Sequence, residues 1–165
     1  MQTLLDLAHY NAWANQRVFA TSAALSSAVL SAEAKGTYGS VQETLAHLVE
    51  VEEIYLLMLR DADVQNWDSD GFMAHDAAWF AERSRELGAE YQTLLAGKDE
   101  NWLSGQFVVP WFGFPISHRD GLLQAWTHSA QHRSQILSEL GSHGLQTPDI
   151  DYIFMLDQAR EGADS

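Results

Sequence analysis

Apolar residues recur along most of this chain at helical spacing. In LLDLAHYNAWANQRVFATSAAL, the positions Leu4, Leu7, Ala8, Asn11, Ala14, Val18 and Leu25 share one face and predict a first helix. Gly36 and Gly39 then break the chain. Ser40 followed three residues later by Glu43 has the form of a capping box, in which each side chain satisfies the other residue's amide, and it opens a second helix over VQETLAHLVEVEEIYLLMLR. Residues 61 to 74, DADVQNWDSDGFMA, are rich in Asp and read as a loop, long enough for a crossover connection. A third helix is expected from about His75 to Leu95, with Gly97 as its C-cap. QFVVPWFGFPIS pairs two apolar segments around Pro110 and Gly113, as a small hairpin would. Ser117 with Asp120 opens a fourth helix to about Leu140, which Gly141 and Gly144 stop. Thr147-Pro148-Asp149 reads as an N-cap with proline in the first helical position, starting a short last helix over DIDYIFMLDQA. All three prolines lie beyond residue 105, so nothing interrupts helix in the first hundred residues. Four long helices and one short one predict an all-α helical bundle, a single domain over residues 1–165.

Composition narrows what such a bundle can do. The chain has 165 residues, 46% of them hydrophobic, enough for a sizeable core. Nine Lys and Arg stand against 23 Asp and Glu, a formal net charge of −14, which repels phosphate backbones and anionic lipid. Nucleic acid and membrane surfaces are therefore not expected partners. The absence of Cys excludes disulfides, thiolate metal sites and a Cys nucleophile. No apolar run approaches the ~18 residues of a membrane span, and the early Asp6 argues against a signal peptide. A cytoplasmic location is the expectation.

The chemistry lies in the histidines. His128 and His132 are four apart, one turn apart on one helix face with Ala125, Gln135 and Glu139, bordered by Leu122, Trp126, Ser129, Ile136 and Leu140. A buried imidazole needs a partner for each ring nitrogen, and two charged ones would repel; a divalent cation resolves both problems. The alternative is a pair on a wet edge with no task. His47 lies on the stripe Thr44, His47, Val51, Ile54, Met58 and points inward, either as a satisfied core residue or as a third ligand. Three imidazoles with an open fourth position make a catalytic rather than a structural zinc arrangement. His9 could approach such a site from the first helix, although core or surface suits it better. His75, His118 and His143 read as solvated. Glu50 or Glu53 could orient a ligand, but the run Glu50, Glu52, Glu53 reads first as a partly solvated face.

These segments resemble those of the DinB/YfiT-like family of small four-helix metalloproteins. YNAWANQRV at 10 to 18 is similar to its opening Tyr-Asn-x-Trp-Ala-Asn signature. LAHLVEVEEIYL carries its helix-two histidine, THSAQHRSQI is similar to its Asn-His-x-x-His-His-Arg-Gly-Gln segment, and TPDIDYIFML to its Pro-Pro-Asp-Leu-Asp tail. Gln131 stands where many members have the first of two adjacent histidines, and Ser134 replaces the usual Gly. The resemblance implies an up-down-down-up four-helix bundle with a long crossover between the second and third helices, a homodimer, and a divalent metal on His47, His128 and His132. It also implies an enzyme of the thiol-dependent S-transferase or isomerase type, maleylpyruvate isomerases included, in which the metal holds a low-molecular-weight thiol as thiolate.

Three readings of function follow. The chain is a metal-dependent enzyme on a small-molecule substrate, of the thiol-dependent type or a hydrolase using the same open position. It binds a metal or small molecule without turnover, a reading kept open by the lack of an obvious general base beside the triad. Or it is a plain bundle with an interaction role. Zn or Ni are the first candidates for the metal, followed by Fe and Mn, since imidazole suits all of them. The aromatic segment Trp111, Phe112, Phe114 reads as core packing, with a pocket wall or dimer contact as alternatives.

Overall fold

The computed structural model describes residues 1–34 and 36–163, and helices dominate it. Four long helices carry the bundle: α1 (Gln2–Ala23), α3 (Val41–Leu59), α5 (Ala77–Ala96) and α7 (His118–Ser142). Short helices α2 (Ser27–Leu30), α4 (Ser69–Met73) and α6 (Glu100–Ser104) sit in the connections, and α8 (Tyr152–Ala163) ends the chain. Strands β1 (Gln106–Val109) and β2 (Phe114–Ser117) pair antiparallel, with Gln106 opposite Ser117 and Val109 opposite Phe114. Among the described residues, no helix is long and apolar enough to cross a membrane.

The caps expected from sequence set the helix starts. The Ser40 hydroxyl accepts from the Glu43 amide, and Glu43 accepts from the Ser40 amide at 2.7 Å. Ser117 and Asp120 make the same reciprocal pair at the head of α7. Four boundaries differ. Helix α7 runs through Gly141 to Ser142, with His143 at its C-cap, so Gly141 does not stop it. The 61 to 74 loop contains α4, started by the Asp68 side chain accepting from the Gly71 amide. Helix α5 begins at Ala77 rather than His75, because Asp76 caps it by accepting from Trp79 N at 2.8 Å. Helix α8 begins at Tyr152, not at Pro148. The Ile150 carbonyl accepts the Tyr10 hydroxyl at 2.9 Å, and the first turn closes instead on the Asp151 carbonyl.

Contacts between named residues give the helix directions. Glu53 pairs with Arg83 and Arg60 with Glu90, so α3 and α5 run parallel. Glu52 meets Ser129 and Leu59 lies beside Gly121, so α3 and α7 run antiparallel. Ala12 faces Gly88 while Phe19 lies near Ala77 and Ala81, so α1 and α5 are antiparallel. The order is therefore up-down-down-up. Parallel neighbours need a return connection, which residues 60–76 supply. Helices α1 and α5 come so close that a Cβ on Gly88 would lie 2.7 Å from the Ala12 Cβ.

A polar network crosses the otherwise apolar core of Leu45, Leu48, Leu56, Phe80, Leu87, Leu122 and Ile136. Glu52 and Arg133 are each 1% exposed. One Glu52 carboxylate oxygen accepts from Asn11 at 2.7 Å, Asn15 at 3.0 Å and the Ser129 hydroxyl at 2.6 Å. The two Asn carbonyl oxygens turn the other way and accept from Arg133 Nη1, each at 2.6 Å. Tyr91 of α5 donates to the Glu52 backbone carbonyl at 2.8 Å. Opposite charges on α3 and α7 are thus joined through two amides of α1.

Removing one member leaves a buried charge without its counterpart, which costs about 3–5 kcal/mol. Arg133→Met and Glu52→Gln should each lower stability by that order, and the double variant should lose less than the sum. Urea unfolding of the three variants checks this. Fully additive losses would mean that the two charges do not sense each other.

Candidate metal centre

Helices α3 and α7, packed antiparallel, bring three imidazoles together. His47 comes from α3; His128 and His132 come from successive turns of α7. One ring nitrogen from each lies within 4.8 Å of the others, an arrangement that could hold a metal ion. The Nε2 atoms of His128 and His132 are 3.1 Å apart. Their rings are 4.3 Å apart between centroids, and each stands edge-on to His47 at 5.0 and 5.1 Å.

Neighbouring side chains fix the ring orientations. Tyr38 stacks on His47 with ring centroids 3.9 Å apart and planes at 10°. Gln135 accepts from His132 Nδ1 at 2.7 Å, which assigns the proton to Nδ1 and leaves the Nε2 lone pair facing His128. His47 Nδ1 lies 3.5 Å from Glu50 Oε2, an ion-pair distance too long for a hydrogen bond. The other oxygen of Glu50 accepts from Trp67 Nε1 at 2.9 Å and from the Ser69 hydroxyl at 2.5 Å.

The donor set fits a divalent cation. Among the described residues, the buried His47 Nδ1 has no hydrogen-bond partner, and the Nε2 atoms of His128 and His132 face each other. Two nitrogens at about 2.0–2.1 Å from one ion stand roughly 2.9–3.4 Å apart for angles of about 90–110°, a range that contains the His128–His132 separation. His128 and His132 are also held neutral, as ligands must be. Burial, then the neighbouring His132 and His47, pushes His128 down to about 4. Burial and His47 lower His132 as well, against the opposing contact with Gln135. Burial pushes the Glu50 carboxyl up, but its contacts with His47, Ser69 and Trp67 outweigh this and leave it below the usual carboxylate range.

The triad opens on a cavity of about 500 Å³. His47, Glu50 and His128, with Gln65, Ser69 and Gln124, are its polar lining; Val51, Ile54, Tyr55, Val64 and Trp67 form apolar walls, and Trp111 and Phe112 of the hairpin complete it. Several expectations change here. The aromatic segment is not core packing: Trp111, Phe112 and Phe114 are 53%, 63% and 52% exposed, because the tip of the turn carries them away from the bundle. The Glu50, Glu52, Glu53 run is not a solvated face. Glu50 lines the cavity, Glu52 is buried in the core network, and Glu53 is half-buried against Arg83. A general base missing from the sequence reading thus has a candidate in Glu50. His118 is buried, not solvated, stacked between Trp102 and Phe107 under the hairpin. His9, His75 and His143 are exposed and away from the triad, and Gln131 is exposed too. Tyr38 has no marker in the sequence, since the stack depends on the Gly39 turn that precedes α3.

The lowered imidazoles fix the sign of a pH effect on the metal-free protein. In the unfolded chain His128 titrates near 6.5 and in the folded one near 4. Between these values the unfolded chain binds more protons, so stability falls as pH drops from about 6.5 towards 4 and then levels off. Urea midpoints of chelated protein at pH 7.5, 6.0 and 5.0 should decline, and His128→Gln should decline less. Identical slopes in the two proteins would remove His128 as a source of acid sensitivity.

The same architecture occurs in solved structures. YfiT from Bacillus subtilis, described as a probable metal-dependent hydrolase with an unusual four-helix bundle topology, superposes with a TM-score of 0.73 at 12% identity, over 85% of this chain and 87% of that one. A DinB-like protein from Bacillus cereus ATCC 10987 superposes with a TM-score of 0.67 at 17% identity, over 90% and 96%. Identities this low speak to the fold alone. No curated protein matches the chain. The DinB family model matches residues 1–163, so the chain belongs to the DinB family.

Proposed function

We propose that this protein is a divalent-metal-dependent enzyme acting on a small molecule bound in the cavity beside the triad. The observation that carries the reading is three convergent imidazoles, with His128 and His132 held neutral by burial, beside a cavity that His47 and His128 line. His47, His128 and His132 would hold the ion, with Zn, Ni, Fe and Mn all compatible with imidazole. When bound, it would supply a Lewis acid with at least one exchangeable position. The chain's own groups do the rest. Gln135 keeps the His132 Nε2 lone pair available. Tyr38 holds the His47 ring by stacking. Trp67 and Ser69 occupy one oxygen of Glu50, so Oε2, 3.5 Å from His47 Nδ1, is the oxygen left to accept a proton.

Two reaction classes use these parts. In the thiol-dependent transferase or isomerase reading, the thiol comes from solution, because the chain has no Cys, and Glu50 Oε2 takes its proton. In the hydrolytic reading, Glu50 takes the proton of the attacking water. Glu50 serves either reading, and the probable metal-dependent hydrolase YfiT, which shares the fold, supports the second.

Protein purified without a His tag should contain one divalent ion per chain by elemental analysis. His132→Ala should keep its helical circular dichroism, since Ala is the best helix former, and lose most of the metal; unchanged metal content would remove His132 from the ligand set. With metal saturating, Glu50→Gln should lower turnover by about 10²–10⁴-fold, the usual contribution of a positioned acid or base. Assays with thiol plus electrophile, and with esters or amides in water alone, separate the two classes.

A further inference from the structure

The cavity also carries information about what it would accept. Among the described residues, its walls hold two imidazoles, the Glu50 carboxylate, and neither Lys nor Arg. Trp67 and Ser69 hydrogen-bond one oxygen of Glu50, and no described residue hydrogen-bonds Oε2. That oxygen lies 3.5 Å from His47 Nδ1, and Glu50 lines the cavity. Tyr55, Trp67, Trp111 and Phe112 bring four aromatic side chains to the same space, with Trp111 set edge-on to Tyr55 at 6.4 Å. The hairpin tip holds Trp111 and Phe112 more than half exposed, so part of that aromatic surface is left for a ligand to cover. The chain as a whole carries a net charge of −14, which adds to the cost of bringing in an anion.

We propose that this cavity selects small molecules with an aromatic or bulky apolar body and a cationic or strongly hydrogen-bond-donating head, and excludes anions. The head meets Glu50 Oε2, and the body covers Trp111 and Phe112. An aromatic face within about 6 Å of a cation adds attraction of its own, strongest for Trp. An anion finds a like charge in the wall and, apart from any bound metal, no positive partner among the described residues. This assignment rests on the reading of the cavity as the substrate site, but it concerns charge selection and does not depend on the metal.

Benzylamine, benzyl alcohol and benzoate share one ring and differ in the charge of the head. Their affinities should be measured by ligand-observed NMR or calorimetry at neutral pH on chelated protein, where no metal can ligate amine or carboxylate. Benzylamine should bind at least tenfold more tightly than benzoate, with benzyl alcohol between them. Glu50→Gln should shrink the difference between amine and carboxylate to less than threefold. Trp111→Ala should weaken benzylamine and benzyl alcohol several-fold while leaving the metal content of the unchelated protein unchanged. Benzoate binding as well as benzylamine would overturn the proposal. So would an amine preference that survives Glu50→Gln, or no binding of any probe at millimolar concentration. Metal content is measured separately, so a protein that fails this test while holding one ion per chain loses the charge assignment and keeps the metal reading.

Discussion

A carboxylate and a guanidinium buried in one apolar core, joined through two asparagine amides, constrain this molecule more than any other contact. Each charge would be costly alone, and each is tolerable because Asn11 and Asn15 present their amide nitrogens to Glu52 and their carbonyls to Arg133. An asparagine amide has both a donor and an acceptor end, so it can serve both sides at once. The arrangement works in a single relative placement of α1, α3 and α7. A slide of one helix by a turn would strand both ions, whereas Leu-on-Leu packing tolerates such shifts far better. With Tyr91 the network also fixes α5.

The histidine site follows from that placement. Ser129 and Arg133 each lie one residue beyond a histidine on α7, and Glu52 lies five beyond His47 on α3. When the network sets the register of these helices, it also sets how the imidazoles meet. The polar side chains of the bundle therefore form two adjoining layers. One is closed, with its charges matched internally. The other is left with unpartnered nitrogens and opens on a cavity.

Much of this was legible in the sequence. The capping pairs Ser40–Glu43 and Ser117–Asp120 announced two of the long helices, because those bonds are local and depend only on spacing. The i,i+4 spacing of His128 and His132, with His47 on an apolar stripe, marked the residues that now stand together. What escaped depends on contacts far apart in the chain. Asn11 on the apolar line of the first helix could not be assigned a partner from sequence, because Arg133 stands 122 positions away. Glu50 and Glu52 looked solvated because three acids in four residues resemble a surface. Their partners come from α1, from α7 and from the crossover. The exposed hairpin aromatics escaped for the opposite reason: hydrophobicity predicts burial on average and cannot tell a core from the lip of a cavity.

The crossover began as a topological necessity. Parallel α3 and α5 require a segment that travels back along the bundle, and residues 60–76 make that journey. On the way they place Trp67 and Ser69 against Glu50. The imidazoles thus sit on the helical frame, while Trp67 and Ser69 of the crossover, and Trp111 and Phe112 of the hairpin tip, sit on connecting segments. Connecting segments accept changes of length and composition that packed helices do not. A bundle organised in this way divides inheritance between its parts. Its frame resists drift, while the surroundings of the reactive corner can be rewritten by insertions and exchanges in two short stretches of chain, and related proteins can diverge in what they admit without rebuilding what admits it.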